Sequence, residues 1–204
     1  MIAKEQISLW GHCERFIGAF RAAAAFGIQR LNFARGIYER WAPVTLPESV
    51  NSVLFVCKGN ICRSPLAEVY FQSLVMKGGG QMVVRSAGLE TTPGKPAHHN
   101  AKAVALQNGL SLQTHATTQV HADLLERFDL IVVMEIRQKD RILRLYPRAR
   151  GKTVLLGYFD QQSPLEIADP YSGPIEEFHA CFQQMKQCCD RVGARLGLRQ
   201  REGR

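Results

Sequence analysis

A cysteine and an arginine with five residues between them occupy the segment Cys57–Ser64, which reads Cys-Lys-Gly-Asn-Ile-Cys-Arg-Ser. The apolar run 53–56 before it predicts a buried strand. Pro65 after it suits the first turn of a helix, with Ser64 as the N-cap. Such a strand, tight loop and helix direct backbone N–H groups and a helix N-terminus at one point, and this geometry binds anions.

These positions predict phosphoryl transfer to sulfur. Positive surroundings at a helix N-terminus favour the thiolate, the attacking form of Cys57. Arg63 presents a planar fork of donors for two oxygens of a tetrahedral oxyanion, and the loop N–H groups hold the others. The Ser64 hydroxyl can donate to the thiolate and help it leave. The alternative, a buried cysteine beside an ordinary turn, leaves Gly, Asn and Arg at these positions unexplained.

Asp169, in the segment Asp169–Tyr171, is the candidate proton donor. A carboxylic acid in this proline-flanked loop can protonate a departing phenolate, and its carboxylate can then deprotonate water. Tyr171 can line the cleft and stack against an aromatic leaving group. Since Asp-Pro also commonly begins a turn, an ordinary turn is the alternative interpretation.

The segment Val53–Glu68 resembles the signature of the low-molecular-weight protein tyrosine phosphatases. Ser86–Leu89, Phe128–Glu135 and Asp169–Tyr171 follow in the family's order, and the resemblance covers about residues 51–200. It implies a protein-tyrosine-phosphatase without cofactor or metal, in which Cys57 is the nucleophile, Arg63 binds phosphate and Asp169 donates the proton.

The resemblance also implies the surrounding roles. The implied substrate-binding residues are Lys58, Gly59, Asn60, Ile61, Cys62, Ser64, Leu89 and Tyr171. The polar network that holds the loop in a strained shape would contain Asn60, Ser64, Ser86 and His115. Ile61 favours a flat phenolic ring, since arginine phosphatases of this fold tend to carry threonine there. Thr118 replaces a frequent arginine, and Lys58 adds a charge that would favour acidic residues beside the phosphotyrosine.

The chain further resembles the bacterial members of the family that are associated with capsule and exopolysaccharide export. This resemblance lies in Leu89, in the segments Gly94–Ala97 and Gly151–Gly157, and in Tyr171 followed by Ser172. That branch implies a tyrosine autokinase as the phosphotyrosine protein substrate.

Two other functions compete with this one. An arsenate reductase on the same fold would need extra mid-chain cysteines, and none lies between Cys62 and Cys181. A phosphotyrosine-binding module without turnover is disfavoured because all three catalytic residues are present.

Composition predicts one domain plus an extension in these 204 residues, of which 46% are hydrophobic. A net charge of +8 fits nucleic acid, an anionic membrane or acidic substrates. No nucleic-acid motif occurs and the arginines are scattered, so acidic phosphoproteins are the simplest partners. The sequence leaves the oligomeric state open.

The six cysteines lack the spacing of a disulfide framework, which predicts a reducing, cytoplasmic compartment. No Cys/His set has metal-site spacing. Cys57 and Cys62 are close enough for a reversible disulfide, which in this family is thought to protect the nucleophile, although Cys62 could equally be an apolar filler. Cys181, Cys188 and Cys189 are predicted to pack on a helix.

Alternating patterns predict an α/β fold: a four-stranded parallel sheet with helices on both faces and the phosphate-binding loop after the first strand. The predicted strands are 53–56, 82–85, 130–134 and 153–156, and the predicted helices are 66–76, 97–108, 136–146 and 175–196.

Residues 1–50 lie outside the resemblance and predict a basic helical extension before the domain at 51–200. Neither a signal peptide nor a bilayer span is expected. Three interpretations stay open. The extension packs on the domain or mediates self-association, it lies on an anionic membrane surface, or it is disordered or translated from a start codon assigned too far upstream.

Overall fold

A computed structural model describes residues 46–47, 49–160 and 162–198. Its helices and strands are β1 Ser52–Cys57, α1 Arg63–Lys77, β2 Val83–Gly88, α2 His99–Gln107, α3 Ala122–Glu126, β3 Leu130–Val133, α4 Ile136–Leu145, β4 Thr153–Leu155 and α5 Ile175–Arg195. Short 3-10 helices span Pro147–Lys152 and Leu156–Phe159. The predicted extension lies almost entirely outside the described residues.

The strands form one four-stranded parallel sheet, as predicted, and their order is β2-β1-β3-β4. In the central strand β1, Val53 pairs with Val84 on one side and with Leu130 on the other. The chain adds β2 on one side of β1 and then crosses to β3 on the other side. The carboxyl end of β1 is therefore at a topological switch point, where open α/β sheets bind their ligands.

Both faces of β1 are buried. Alternate side chains point to opposite faces of a sheet, so its residues divide between two packed layers. Val53 and Phe55 belong to the main core with residues of α1, α2 and α5. Leu54 and Val56 are equally buried, and α4 packs against β3 and β4. Cys181, Cys188 and Cys189 of α5 are buried in the main core, so their predicted packing role is confirmed.

Helix starts differ from the prediction. Helix α1 begins at Arg63 with Cys62 as its N-cap residue and has no side-chain cap, so the assignment of Ser64 as N-cap was wrong. The Ser64 hydroxyl is used inside the loop instead, as described below. Helix α2 begins at His99 because the ring of His98 caps it, accepting from Asn100 N at 3.2 Å.

The short helix α3 was not predicted; it is capped by the ring of His121, which accepts from Leu124 N at 3.2 Å. Of the helices in the described part of the chain, none combines the length and the apolarity needed to cross a membrane.

Candidate active site

The sulfur of Cys57 lies at the carboxyl end of β1, surrounded by hydrogen-bond partners. The side chain is buried, and the backbone N–H of Asn60 donates to Sγ at 3.2 Å. The Ser64 hydroxyl oxygen is 3.0 Å from the same sulfur. Donors placed this close can hold negative charge on sulfur, which is the form a nucleophile needs.

Arg63 is almost completely buried, with 1% of its surface exposed. Its Nη1 donates to the Glu135 carboxylate and to Ile167 O at 3.0 Å, and its Nη2 donates to Asp169 Oδ2 at 2.6 Å. Burial lowers the pKa of a guanidinium, but the charges of Cys57, Asp169 and Glu135 raise the Arg63 pKa above its usual value. The side chain is therefore a fixed cation.

The Nε of Arg63 is the one buried side-chain nitrogen or oxygen without a hydrogen-bond partner in the described ranges. A buried donor without an acceptor costs about 1–3 kcal/mol. Nε and Nη2 form the edge of the guanidinium that holds an oxyanion in bidentate fashion. A phosphate bound beside Arg63 would supply the acceptor that Nε lacks.

Glu135 orients Arg63, and the sequence interpretation did not identify it as a site residue. It lies two residues after the end of β3 and also accepts hydrogen bonds from Arg137 and from Gln138 Nε2. Burial would raise the pKa of Glu135, but the hydrogen bonds and charges of Arg63 and Arg137 hold that pKa below its usual value. An acidic residue just beyond the carboxyl end of a buried parallel strand was the available signal.

Asn60 has a left-handed backbone conformation, with φ of 55°. Its Nδ2 donates to Ser64 Oγ at 2.9 Å and to Ser86 Oγ at 2.8 Å, and its Oδ1 accepts from Thr118 N at 2.8 Å. Its carbonyl oxygen is 2.8 Å from His115 Nε2. The predicted set of Asn60, Ser64, Ser86 and His115 is thus brought together around the loop.

Glu68 extends this network and was also missed. Its Oε2 accepts from Ser86 Oγ at 2.6 Å, and burial raises the pKa of its carboxyl group. Gly88, at the end of β2, allows close approach, because a Cβ there would lie 3.0 Å from Asn60 Cβ. The loop is therefore supported from behind by α1 and by β2.

The loop encloses a pocket of about 230 Å³. Its lining residues are Cys57, Lys58, Gly59, Ile61, Cys62, Arg63, Glu90, Asp169 and Tyr171. Asn60 and Ser64 are fully buried and do not line it, so their side chains support the loop rather than the pocket surface. Leu89, predicted to bind substrate, lines the adjoining pocket instead.

Tyr171 lies at the rim of this pocket with 57% of its surface exposed. Its ring packs edge-on against His98 at 5.7 Å, and His98 in turn stacks on Phe178 at 4.9 Å. Burial, then the charge of His99, lowers the pKa of His98. A neutral aromatic stack therefore fixes the position of one wall.

Cys62 is buried, and this burial, followed by the charge of Asp169, raises the pKa of its thiol. The protonated form is thereby favoured, and Cys62 is not a competing nucleophile. Both Cys57 and Cys62 are free thiols, and a regulatory disulfide between them stays a prediction. In the described ranges, no three or more His, Cys, Asp or Glu residues are grouped so as to hold a metal ion.

Comparison with known proteins gives a consistent set of relatives. The family model described as "Low molecular weight phosphotyrosine protein phosphatase" matches residues 52–201. The probable low molecular weight protein-tyrosine-phosphatase AmsI of Erwinia amylovora is 41% identical over 133 residues, which are 65% of this chain and 88% of the relative. The low molecular weight protein-tyrosine-phosphatase Wzb of Escherichia coli is 39% identical over 137 residues, 67% of this chain and 89% of the relative.

Solved structures agree with these sequence matches. The AmsI crystal structure has a TM-score of 0.66 at 38% identity and covers 71% of this chain and 93% of its own. Wzb from Escherichia coli in complex with sulphate has a TM-score of 0.68 at 36% identity, covering 72% and 99%. The YwlE arginine phosphatase from Geobacillus stearothermophilus has a TM-score of 0.66 at 31% identity, covering 72% and 93%.

Proposed function

Because this chain belongs to the low molecular weight phosphotyrosine protein phosphatase family, we propose that it hydrolyses phosphotyrosine through a phosphocysteine intermediate. The observation that carries the mechanism is the pocket in which Cys57, Arg63 and Asp169 meet. The buried Arg63 Nε without an acceptor supports an oxyanion as the group bound there.

In the first step, the Cys57 thiolate attacks phosphorus, so that an S–P bond forms and the P–O bond to the tyrosine breaks. Asp169 transfers its proton to the departing phenolate oxygen. Arg63 Nε and Nη2, together with the loop N–H groups, hold the phosphoryl oxygens as negative charge redistributes. We propose that the contact between Arg63 Nη2 and Asp169 Oδ2 breaks when phosphate binds, which frees that carboxyl group to serve as acid.

In the second step, the Asp169 carboxylate takes a proton from water, and the water oxygen attacks phosphorus. The S–P bond breaks and inorganic phosphate leaves. The Ser64 hydroxyl, 3.0 Å from Cys57 Sγ, donates to the returning thiolate and makes it a better leaving group.

The pocket wall supports an aromatic substrate. Ile61, in the loop, and Tyr171, two residues after Asp169, both line the catalytic pocket and offer apolar surface to a phenolic ring. Threonine at the position of Ile61 is what the resemblance associates with arginine phosphatases, so phosphotyrosine is the preferred substrate.

We further propose a tyrosine autokinase that controls exopolysaccharide or capsule export as the physiological substrate, dephosphorylated in the cytoplasm. The support is the resemblance of Leu89 and Gly94–Ala97 to that branch and the similarity to Wzb and AmsI. We assign the catalytic domain to residues 51–200 and treat residues 1–50 as a separate extension, since the family match begins at residue 52.

The test is steady-state hydrolysis with reductant and without added metal. Phosphotyrosine, phosphoserine and phosphoarginine peptides are compared for wild type, Cys57→Ser, Asp169→Ala and the matched control Asp123→Ala, an exposed acid in α3. We expect phosphotyrosine turnover that vanishes in Cys57→Ser and falls about 100-fold or more in Asp169→Ala. The turnover of p-nitrophenyl phosphate should fall less in Asp169→Ala, because its leaving group needs less protonation than the phenolate of tyrosine.

Trapping of a phosphorylated Cys57 in Asp169→Ala would support the intermediate directly. Folded protein without turnover would refute the mechanism and favour arsenate reduction or phosphotyrosine binding alone, while preference for phosphoarginine would refute the substrate. A chain lacking residues 1–50 should retain p-nitrophenyl phosphate hydrolysis; loss of activity by folded, truncated protein would refute the domain assignment.

A further inference from the structure

A second pocket adjoins the catalytic pocket and shares Lys58 and Glu90 with it. Its volume is about 260 Å³, close to the 230 Å³ or so of the catalytic pocket. We call it the basic pocket, and its lining residues are Lys58, Leu89, Glu90, Arg137, Gln138, Arg141 and Arg144. Since the two pockets share a wall, one peptide can occupy both.

The basic pocket owes its charge to one face of α4. Arg137, Arg141 and Arg144 are spaced by four and three residues, which places them on the same side of a helix. Together with Lys58 they give four cationic side chains, against a single carboxylate, Glu90, in the same lining. The lining therefore has a net charge of plus three.

The existing ion pairs leave much of this charge uncompensated. Glu90 accepts a hydrogen bond from Arg141 and lies 3.7 Å from Lys58 Nζ, so one carboxylate serves two cations. Arg137 pairs with Glu135, which is already shared with Arg63. Arg144 has no carboxylate within ion-pair distance in the part of the chain that the structure describes.

We propose that the basic pocket binds an anionic side chain of the same substrate whose phosphotyrosine occupies the catalytic pocket. This inference rests on the proposed function and defines its substrate class as acidic or multiply phosphorylated tyrosine segments. Arginine forks bind carboxylate and phosphate alike. An extended chain advances about 3.3–3.6 Å per residue, so an anion within a few residues of the phosphotyrosine reaches the pocket.

The experiment compares kcat/KM for three peptides that differ only beside the phosphotyrosine: neutral residues, aspartate and glutamate, or a second phosphotyrosine. Wild type is measured with Arg144→Gln and with the matched control Arg148→Gln. Arg144 is chosen because its removal leaves no carboxylate unpaired. Arg148 is 92% exposed and lines neither pocket, so Arg148→Gln removes the same charge from outside both pockets.

We expect wild type to prefer the anionic peptides and Arg144→Gln to lose roughly two- to fivefold of that preference, as one exposed ion pair allows. Arg148→Gln should keep the preference, and p-nitrophenyl phosphate should be hydrolysed equally by all three proteins. Raising the ionic strength should weaken the preference. The better of the two anionic peptides identifies carboxylate or phosphate as the group bound.

Equal kcat/KM for all peptides would overturn the proposal. So would equal losses in Arg144→Gln and Arg148→Gln, because the preference would then follow net charge rather than the pocket. Wild type that fails on p-nitrophenyl phosphate itself would instead refute the proposed function.

Discussion

Replacing Asn60 by alanine tests whether its side chain holds the phosphate-binding loop. The change removes three hydrogen bonds, to Ser64 Oγ, Ser86 Oγ and Thr118 N, in a fully buried position. At about 1 kcal/mol each, their loss lowers the free energy of unfolding by about 3 kcal/mol. Alanine at a φ of 55° adds about 1 kcal/mol of backbone strain.

Asn60→Gly is the matched control, since glycine loses the same hydrogen bonds but adopts a positive φ without strain. We expect Asn60→Gly to be destabilised by about 3 kcal/mol and Asn60→Ala by about 4 kcal/mol. Urea unfolding measures both values, and the slope m should stay unchanged. Both variants should lose kcat for p-nitrophenyl phosphate, because the Asn60 N–H that donates to Cys57 Sγ shifts with the loop.

Wild-type stability and kcat in Asn60→Ala would refute this reasoning, since the loop would then keep its shape without the side chain. A loss of stability with unchanged kcat would separate the two roles and show that the network stabilises the fold but does not shape the nucleophile's surroundings.

Two further predictions concern buried charges. Glu135→Ala removes an anion from buried Arg63, and we expect urea unfolding to show a loss of about 3 kcal/mol with a lower kcat/KM, while Glu126→Ala, at an exposed pair, should change little. Burial lowers the pKa of Lys139 to about 8 in the folded protein, whereas an unfolded lysine has a pKa of about 10.4. Between these two pH values the folded protein loses the proton and the unfolded chain keeps it, so the free energy of unfolding rises with pH across this window. Lys139→Met should therefore raise the free energy of unfolding by on the order of 2–3 kcal/mol at pH 7 and should leave it unchanged above about pH 10.5. Lys95→Met, at an exposed lysine, should leave it unchanged at both pH values. Equal increases in both variants would contradict this assignment.

The centre of the sheet was predictable because burial on both faces forces a strand such as β3 to be apolar throughout. The first residues of the helices were less predictable from the sequence, because local capping signals compete with tertiary contacts. Ser64 has the residue type of an N-cap, yet its hydroxyl bonds with Cys57 and Asn60, which only the folded loop places beside it. Nothing in the local pattern marks the short helix α3, which is five residues long.

The same limit applies to the site. The residues of the loop segment Cys57–Ser64 were found because their spacing is local and chemically specific. Glu135 was missed because its partner Arg63 lies 72 residues earlier, and only the order of the strands brings them together. Leu89 was predicted to bind substrate, but it lines the neighbouring pocket, which shares Glu90 with the catalytic pocket, and sequence spacing does not distinguish the two pockets.

The bond between Arg63 and Asp169 closes a span of 106 residues. During synthesis, the loop Cys57–Ser64 is therefore made well before Asp169. Such an incomplete chain carries Cys57 without Asp169, and until residue 135 is added it also lacks the Glu135 carboxylate that binds Arg63. Because closing a loop this long is entropically costly and slow, we expect the pocket that Cys57, Arg63 and Asp169 line to be completed late in folding. We therefore expect a chain that ends before Asp169 to carry the Cys57 thiol without the carboxylate that Arg63 Nη2 contacts in the complete fold.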